Sequence, residues 1–439
     1  MTAARPFPMA STGAANKGDP VSFKKSILAI AVAAASAAPA FAQSNPPPEP
    51  AREQATTRAA PATSSLQIYG RLYPYVIQER GTGATAAGTP VATIASTASP
   101  TGVNNLGRTT GMEAGNSRLG FRGVEDLGGG LKARFQLEGV VDVDAGGGYS
   151  FDRDTFVGLE GGFGAVRLGS IDTIFKNYGD TIGILGLSSG TFLSSSNILR
   201  KPGFGTSNAS RFHERRANSI QYETPKFAAF QAGFQYATEE ANSVTALDPR
   251  TLSFGVKYDQ GPFYVAVAHE IHRDYFGGSR NVRTALRNND QTADSRDAAT
   301  QVTVEWRINR QHKVGLDVIR KRYGENATAG RFQSYENMAY QLAVENRWTS
   351  TFSTAAHYVR SNRGSCTLGG GAGCNTDGLE GTKITIAARY DFSRRTGIFA
   401  GYSVVRNGKS AQYGSREFGR NPTPGEDISH LAVGILHTF

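Results

Sequence analysis

No run of about 20 apolar residues occurs after residue 42, so a bundle of membrane-spanning helices is excluded. Long stretches of helical periodicity are missing too, which leaves strands and turns to build the fold. Cysteine is nearly absent: only Cys366 and Cys374 occur, in the loop CTLGGGAGC. A metal site there would need more ligands, and His357 is the nearest histidine. The seven histidines are scattered, and no Ser/His/Asp or paired-carboxylate arrangement assembles from local spacing. Gly128-Gly129-Gly130 and Gly161-Gly162 sit at tight turns and not before helices, so phosphate-loop readings fail. No catalytic group and no cofactor or metal is expected.

Glycine and aromatics are plentiful, with 52 Gly, 17 Tyr and 24 Phe in 439 residues. That length suits two or three ordinary domains or one large barrel. A mean hydropathy of −0.35 is compatible with strands that spend half their residues on a wet lumen. The net charge of +10 raises the question of nucleic acid, but the bases alternate along strands and form no exposed stripe. Nucleic acid is therefore not expected as a partner.

The N-terminus carries an export address. Phe23-Lys24-Lys25 is a positive region, Ile27 to Ala38 an apolar core, and Ala40-Phe41-Ala42 a cleavage site. Residues 1–42 are expected to be removed; Met1 to Ser22 do not belong to such a signal, and the true start is expected later, at Met9 or Val21. Residues 43–65, rich in Pro and Ala with little to bury, are expected to be a disordered tail. In an exported protein an even pair across a short glycine-rich loop favours a Cys366–Cys374 disulfide.

Residues 66–439 read as one barrel. The closing stretch SHLAVGILHTF puts Leu431, Val433, Ile435, His437 and Phe439 on one face of a strand and Ala432, Gly434, Leu436 and Thr438 on the other. The edge of a soluble sandwich is one reading of that strand; a barrel strand against lipid is the other. Sixteen candidate strands begin near Leu66, Ser117, Leu131, Asp154, Gly164, Ala217, Phe230, Thr251, Phe263, Ala298, Gln311, Ala339, Thr351, Gly381, Thr396 and Ser429. Tight connections such as Gln260–Pro262 alternate with long polar ones such as Gly81–Asn116 and Ile171–Arg216. That asymmetry decides for an all-β, 16-stranded antiparallel transmembrane β-barrel with short periplasmic turns and long external loops.

Strand parity then sorts the charges. Tyr69, Arg71, Tyr73 and Tyr75 oppose Leu66, Ile68 and Leu72; Arg118 and Arg122 alternate with Leu119 and Phe121. Lys132, Arg134, Gln136 and Glu138 alternate with Leu131, Ala133, Phe135 and Leu137, and Val166 and Leu168 flank Arg167. A charge on the lipid face costs ~2–4 kcal/mol near mid-bilayer, so these bases must face the lumen.

The runs SRLGFRGVEDLGGGLKARFQLE (117–138) and RDTFVGLEGGFGAVRLGS (153–170), with Ile68-Tyr69-Gly70, NSIQYETPKF (218–227) and the terminal Phe, resemble the Gram-negative general porins, especially their trimeric beta-proteobacterial branch. The resemblance implies a homotrimer of water-filled barrels, each narrowed by an inward-folded third loop, with Phe439 as part of the signal read by the barrel-assembly machinery. It places Arg71, Arg118 and Arg153 on the basic wall of the constriction; Arg122, Lys132, Arg134, Arg167 and Arg215 are further members. The third loop lacks the Pro-Glu-Phe-Gly-Gly run of some enteric relatives and offers Asp172 and Asp180, with Glu214, as acids among more numerous bases. The expected function is passive diffusion of small hydrophilic solutes with a preference for anions, since rings of charge filter ions. A substrate-selective channel for phosphate or an organic acid is the alternative on the same fold. A barrel hydrolase would need a nucleophile and base on neighbouring strands, and an adhesin a sealed throat. Expected partners are outer-membrane lipid and lipopolysaccharide, the assembly machinery, and small anionic or neutral solutes.

Overall fold

The computed structural model describes residues 64–98, 105, 107–147, 149–179, 182–239, 248–288, 293–414, 417–419 and 421–439. The expected signal segment (residues 1–42) and residues 43–63 of the expected tail lie outside them, as does Asp180.

Among the described residues nineteen strands build sixteen staves. β1 (Ser64–Leu72) and β2 (Tyr75–Thr82) are halves of the first stave, and β3 (Thr109–Glu113) and β4 (Arg118–Gly128) of the second. The first stave breaks at Pro74, which has no N–H to give the ladder. β5 (Leu131–Val140), β6 (Thr155–Gly161), β7 (Gly164–Asp172), β8 (Arg215–Glu223), β9 (Phe230–Thr238), β10 (Arg250–Gln260) and β11 (Phe263–Arg273) follow. Then come β12 (Arg296–Arg307), β13 (His312–Gly324), β14 (Phe332–Arg347) and β15 (Phe352–Ser361). β16 (Ser365–Leu368) is a short strand within a long loop, laid against the end of β14. β17 (Gly381–Asp391), β18 (Thr396–Asn407) and β19 (Asp427–Thr438) complete the wall. Two short helices, α1 (Ile174–Gly179) and α2 (Ser196–Leu199), both lie in the connection between β7 and β8. No helix among the described residues is long and apolar enough to cross a membrane; the crossing is made by strands.

Every stave pairs antiparallel with its chain neighbour, and β19 returns to the first stave. It pairs with β1 at Arg71↔Thr438 and with β2 from Gly434↔Tyr75 to Asp427↔Thr82. Closure leaves no edge, and the terminal residue locks it: Phe439 N–H donates to Gly70 O and Gly70 N–H to Phe439 O, both at 3.0 Å. The Phe439 ring lies over Gly70, where a Cβ would come within 2.5 Å of the ring and 2.6 Å of Arg118 O. Because a backbone oxygen cannot move aside, Gly70→Ala is expected to cost about 1–3 kcal/mol. It should lower the temperature at which the folded form is lost on a detergent gel.

The wall is inverted relative to a soluble protein. Along β19, Leu431, Val433 and Ile435 are more than half exposed, while Ala432 and Leu436 are buried. Outward positions elsewhere carry Val76, Val157, Leu168, Ile220, Val256, Val302, Leu316, Leu342 and Ile386. Inward ones carry Gln235, Ser253, Thr303, Asp317, Gln341, Thr385 and Ser403, all buried. A closed apolar belt with polar contents fits a barrel bathed in lipid. Exposed Phe163, Phe227, Phe263, Trp306, Trp348, Phe392 and Phe439 gather at the end with the tight turns, an interfacial girdle.

Two strand boundaries differ from the sequence reading. β14 begins at Phe332, seven residues before Ala339, and the second stave opens at Thr109 in place of Ser117. Both extensions are polar (QSYEN, TTGME) because they rise above the lipid belt, where the apolar half of the alternation has no solvent to match. Ser64 and Ser65, read as tail, pair with Glu125 and Val124 in β1.

Candidate functional site

Two arginines meet on one carboxylate, and a third lies beside them across the strand register. Arg71 in β1 stands opposite Arg118 in β4, so strand register alone brings these two like charges side by side. Glu138, in β5, compensates: its carboxylate forms an ion pair with Arg118 Nε at 3.4 Å and accepts from Arg153 Nε at 2.5 Å and from Tyr69 OH at 2.9 Å. The Arg153 N–H also donates to Glu138 O, which fixes the loop before β6 against the wall. Arg71 stacks on Tyr73 at 4.6 Å and donates through Nη1 to Gly186 O at 2.7 Å. Two guanidinium groups thus share one carboxylate and a third, Arg71, stands beside them with no acid of its own, a local excess of two positive charges.

The other predicted bases are placed differently. Arg122 lies four residues along β4 from Arg118, about 13 Å away. It donates to Gln67 Oε1 at 2.8 Å and stacks on Tyr69 at 4.6 Å. Arg134 pairs with Glu160 at 2.5 Å, and Lys132 sits in register with Asp126 and Glu160 beside the β4–β5 turn. These two lie near the short-turn mouth, outside the cluster. Arg167 is bound by Glu223 at 2.7 Å and Gln221 at 2.8 Å. Arg215 bridges Asp154 and Asp172, each at 2.8 Å. Asp172 is the last residue of β7, not part of the loop, and Lys176 at 3.0 Å adds a second cation to it. Arg211 takes Glu214 at 3.2 Å. Glu214, the one described acid of the third connection, and Asp172 at its root are therefore paired with bases of the same segment and its exit.

Sequence reasoning gave Glu138 a lumen face but no role; its signal was the Glu at the parity of Arg134 on a strand next to Arg118. It missed the residues that place the third connection. That segment leaves β7 at Thr173 and packs α1 against the far wall, where Gly233 makes room: a Cβ there would stand 2.5 Å from Ile174 Cδ1. Tyr264 OH donates to Tyr178 O at 2.7 Å, and Arg200 Nη2 and Gln301 Nε2 donate to Gly179 O at 2.7 and 3.1 Å. The tip, Ile184-Leu185-Gly186, runs through three successive positive φ angles (41°, 58°, 74°). It is held from both sides: Leu185 N–H donates to Glu345 Oε2 at 3.0 Å, and Arg71 grips Gly186 O. On the return path two lysines donate only to backbone carbonyls. Lys383 Nζ reaches Phe192 O and Ser194 O (2.8 Å to the latter), and Lys321 Nζ reaches Leu199 O at 3.0 Å and Lys201 O at 2.8 Å. Phe192 packs edge-on against Tyr75 beneath this latch.

The segment covers the inward side chains of β9–β19, leaving Lys321 and Lys383 at 0% and 1% exposure. Across from it the arginine arc is partly wet, with 20% of the Arg118 side chain, 15% of Arg153 and 26% of Arg167 exposed, while Arg71, under the loop tip, is buried.

Another long connection reaches inward at the same mouth. Tyr75 OH donates to Glu417 Oε2 at 3.0 Å, and Phe418 N–H donates to Glu113 Oε1 at 3.3 Å. Burial, and next the Glu113 charge, push the Glu417 carboxyl up to about 7 from its usual 4.5. The docked state then holds a proton that the released state gives up, so docking is strongest below pH 4.5 and weakens as pH rises to about 7. A cysteine at Phe418 should react with a thiol reagent faster at pH 8 than at pH 5, after correction for thiolate fraction, and Glu417→Gln should remove the difference.

Cys366 and Cys374 are joined by a disulfide, with Cα atoms 5.8 Å apart. Among the described residues no group of three or more His, Cys, Asp or Glu is placed to hold a metal ion.

A sequence model described as Gram-negative porin matches residues 29–410. The chain belongs to the Gram-negative porin family. Outer membrane porin protein 32 of Delftia acidovorans is 34% identical over 342 residues, covering 74% of this chain and 85% of that protein. Major outer membrane protein P.IB of Neisseria gonorrhoeae is 27% identical over 316 residues, 69% of this chain and 82% of its own. Among solved structures, an anion-selective porin from Comamonas acidovorans has the same fold, with a TM-score of 0.63 at 22% identity over 86% of this chain and all of that one. OmpT of Vibrio cholerae matches with a TM-score of 0.56 at 13% identity, over 87% of this chain and 99% of its own. The apolar belt thus faces the lipid of a Gram-negative outer membrane, and this porin carries its arginine arc inside a closed 16-stave barrel.

Proposed function

We propose that this porin is a passive, anion-preferring diffusion channel for small hydrophilic solutes, that it is no enzyme, and that its constriction lies between the arginine arc and the third connection. The observation that carries the reading is the sharing of Glu138 by Arg118 and Arg153 beside Arg71, opposite a loop whose one described acid, Glu214, is paired with its own Arg211. An excess positive charge in a narrow aqueous throat concentrates anions and repels cations, more weakly as salt rises. Arg71, Arg118 and Arg153 form the filter, with Arg122, Arg167 and Arg215 along the approach and Lys132 and Arg134 at the short-turn mouth. The solved porin of similar fold titled anion-selective supports the same sign.

The long loops are taken to face outward and the tight turns the periplasm. The working assembly is a homotrimer, and the C-terminal Phe439 is part of the signal recognised by the barrel-assembly machinery. Removal of residues 1–42 and a mature tail ahead of β1 belong to the same reading. Liposomes containing the purified protein should swell faster in an anionic solute than in a cationic solute of equal size; the reverse order defeats the proposal.

The guanidinium–ring pairs Arg71–Tyr73 and Arg122–Tyr69 along one wall favour a second reading, a channel with a saturable site for one anion class. Conductance of small ions blocked by micromolar phosphate or organic acid would select it over general diffusion.

A further inference from the structure

The outside of the barrel carries a charge pattern that neither diffusion nor assembly requires. Strand register aligns Arg250 of β10, Arg273 of β11 and Arg296 of β12 in one row, each directly opposite the next. Side-chain parity turns all three outward, and Arg273 and Arg296 are exposed. Adjacent strands lie about 4.8 Å apart, so three guanidinium stems leave the wall within about 10 Å. Arg322 on β13, opposite Ala298, is the diagonal neighbour of Arg296 and also exposed.

Directly opposed like charges destabilise a sheet unless an anion sits among them. Acids nearby among the described residues do not supply it. Asp248 pairs with Arg250 and Glu336 with Arg320, while Arg273, Arg296 and Arg322 make no ion pair among the described residues. Asp294 lines the same shallow groove as these three without pairing with any of them.

The rows beneath define what fits. Below the arginines come Ile271 and Ala298, then His269 bonded to Thr300, then Val267, Val302 and Val318, then Val265, Val304 and Leu316, down to Phe263 and Trp306 at the far girdle. A ligand here meets several guanidinium groups at its head and an apolar wall along its tails. Free phosphate uses only the head; an acylated, multiply phosphorylated lipid uses both.

We propose that Arg250, Arg273, Arg296 and Arg322 form a binding site for the phosphate groups of an acylated outer-leaflet glycolipid, the anchor of lipopolysaccharide. The assignment rests on the reading that the long loops face outward. Arginine gives bidentate contacts to phosphate, and the row spacing lets one phosphate bridge two neighbouring strands. The lipid thereby neutralises a repulsion built into the wall and adds to barrel stability in the membrane.

Retention by the folded protein in nonionic detergent, measured by native mass spectrometry, tests the site with three probes: the bisphosphorylated lipid anchor, its dephosphorylated form and phosphatidylglycerol. The wild-type protein should hold the bisphosphorylated form at least about tenfold more tightly than either other probe. Arg273→Gln/Arg296→Gln/Arg322→Gln should erase that preference while single-channel conductance stays unchanged, and Arg296→Gln alone should give an intermediate value. Equal retention of all three probes, or an unaltered preference in both variants, overturns the proposal. Orientation is read separately from Ala329→Cys in the neighbouring loop, labelled on intact cells with an impermeant maleimide. Labelling without phosphate-dependent retention rejects the site; retention without labelling rejects the outer leaflet.

Discussion

Replacing Arg71, Arg118 and Arg153 together with glutamine is expected to turn an anion-preferring pore into one that passes cations more readily than anions. The three arginines outnumber the single acid among them, which Arg118 and Arg153 share, so their removal leaves Glu138 as the only member of the cluster with a charge. The local balance moves by three charges. In water a unit charge about 8 Å from a passing ion contributes about 0.5 kcal/mol, so three contribute about 1.5 kcal/mol. That corresponds to roughly tenfold for each ion in opposite directions, and so on the order of a hundredfold in the anion-to-cation permeability ratio before screening. Screening should shrink it toward 1 M salt, where the Debye length is about 3 Å. Glutamine keeps the polar bulk, so conductance should persist. Glu138→Gln alone should move selectivity the other way, toward anions, because Arg118 and Arg153 lose their shared partner.

Lys383→Met/Lys321→Met is expected to free the return path of the third connection and raise both single-channel conductance and open-channel noise. Each lysine binds two backbone carbonyls of that segment, and neither has a carboxylate partner among the ion pairs of the described residues. Two effects oppose one another. Methionine matches the lysine stem in length and removes a buried charge, which by itself is neutral or stabilising. It also leaves four carbonyls without their donors, at about 1–3 kcal/mol each. The second effect wins, and the loop can escape it only by lifting the carbonyls into water. The barrel itself should survive, because the ladders of β13 and β17 are unaffected. Unchanged conductance and noise in a folded double variant would show that the tip contacts of Arg71 and Glu345 hold the segment alone.

The wall was legible in the sequence because lipid enforces a period of two on every stave. The alternation of Leu431, Val433 and Ile435 with Ala432 and Leu436 marks the closing strand, and the same parity puts Arg71, Arg118 and Glu138 inside. Where strands leave the lipid that signal stops, which is why the start of β14 read late. The third connection was not legible, because its course is set by partners remote in the chain. Arg71 lies 115 residues from Gly186, and Lys383 lies 189 from Ser194. Nor does local spacing tell that Asp172 belongs to a strand end, where Arg215 and Lys176 already claim it. Charge counting along the loop weighed its acids as opponents of the arginine wall; the folded chain spends them on neighbours.

The zero-current potential of the wild-type channel in a planar bilayer, under a tenfold salt gradient with the dilute side well below 0.1 M, tests the central claim most directly. The arginine arc predicts a dilute side that becomes negative, with a potential that decays as both salt concentrations are raised. A dilute side that becomes positive would contradict it.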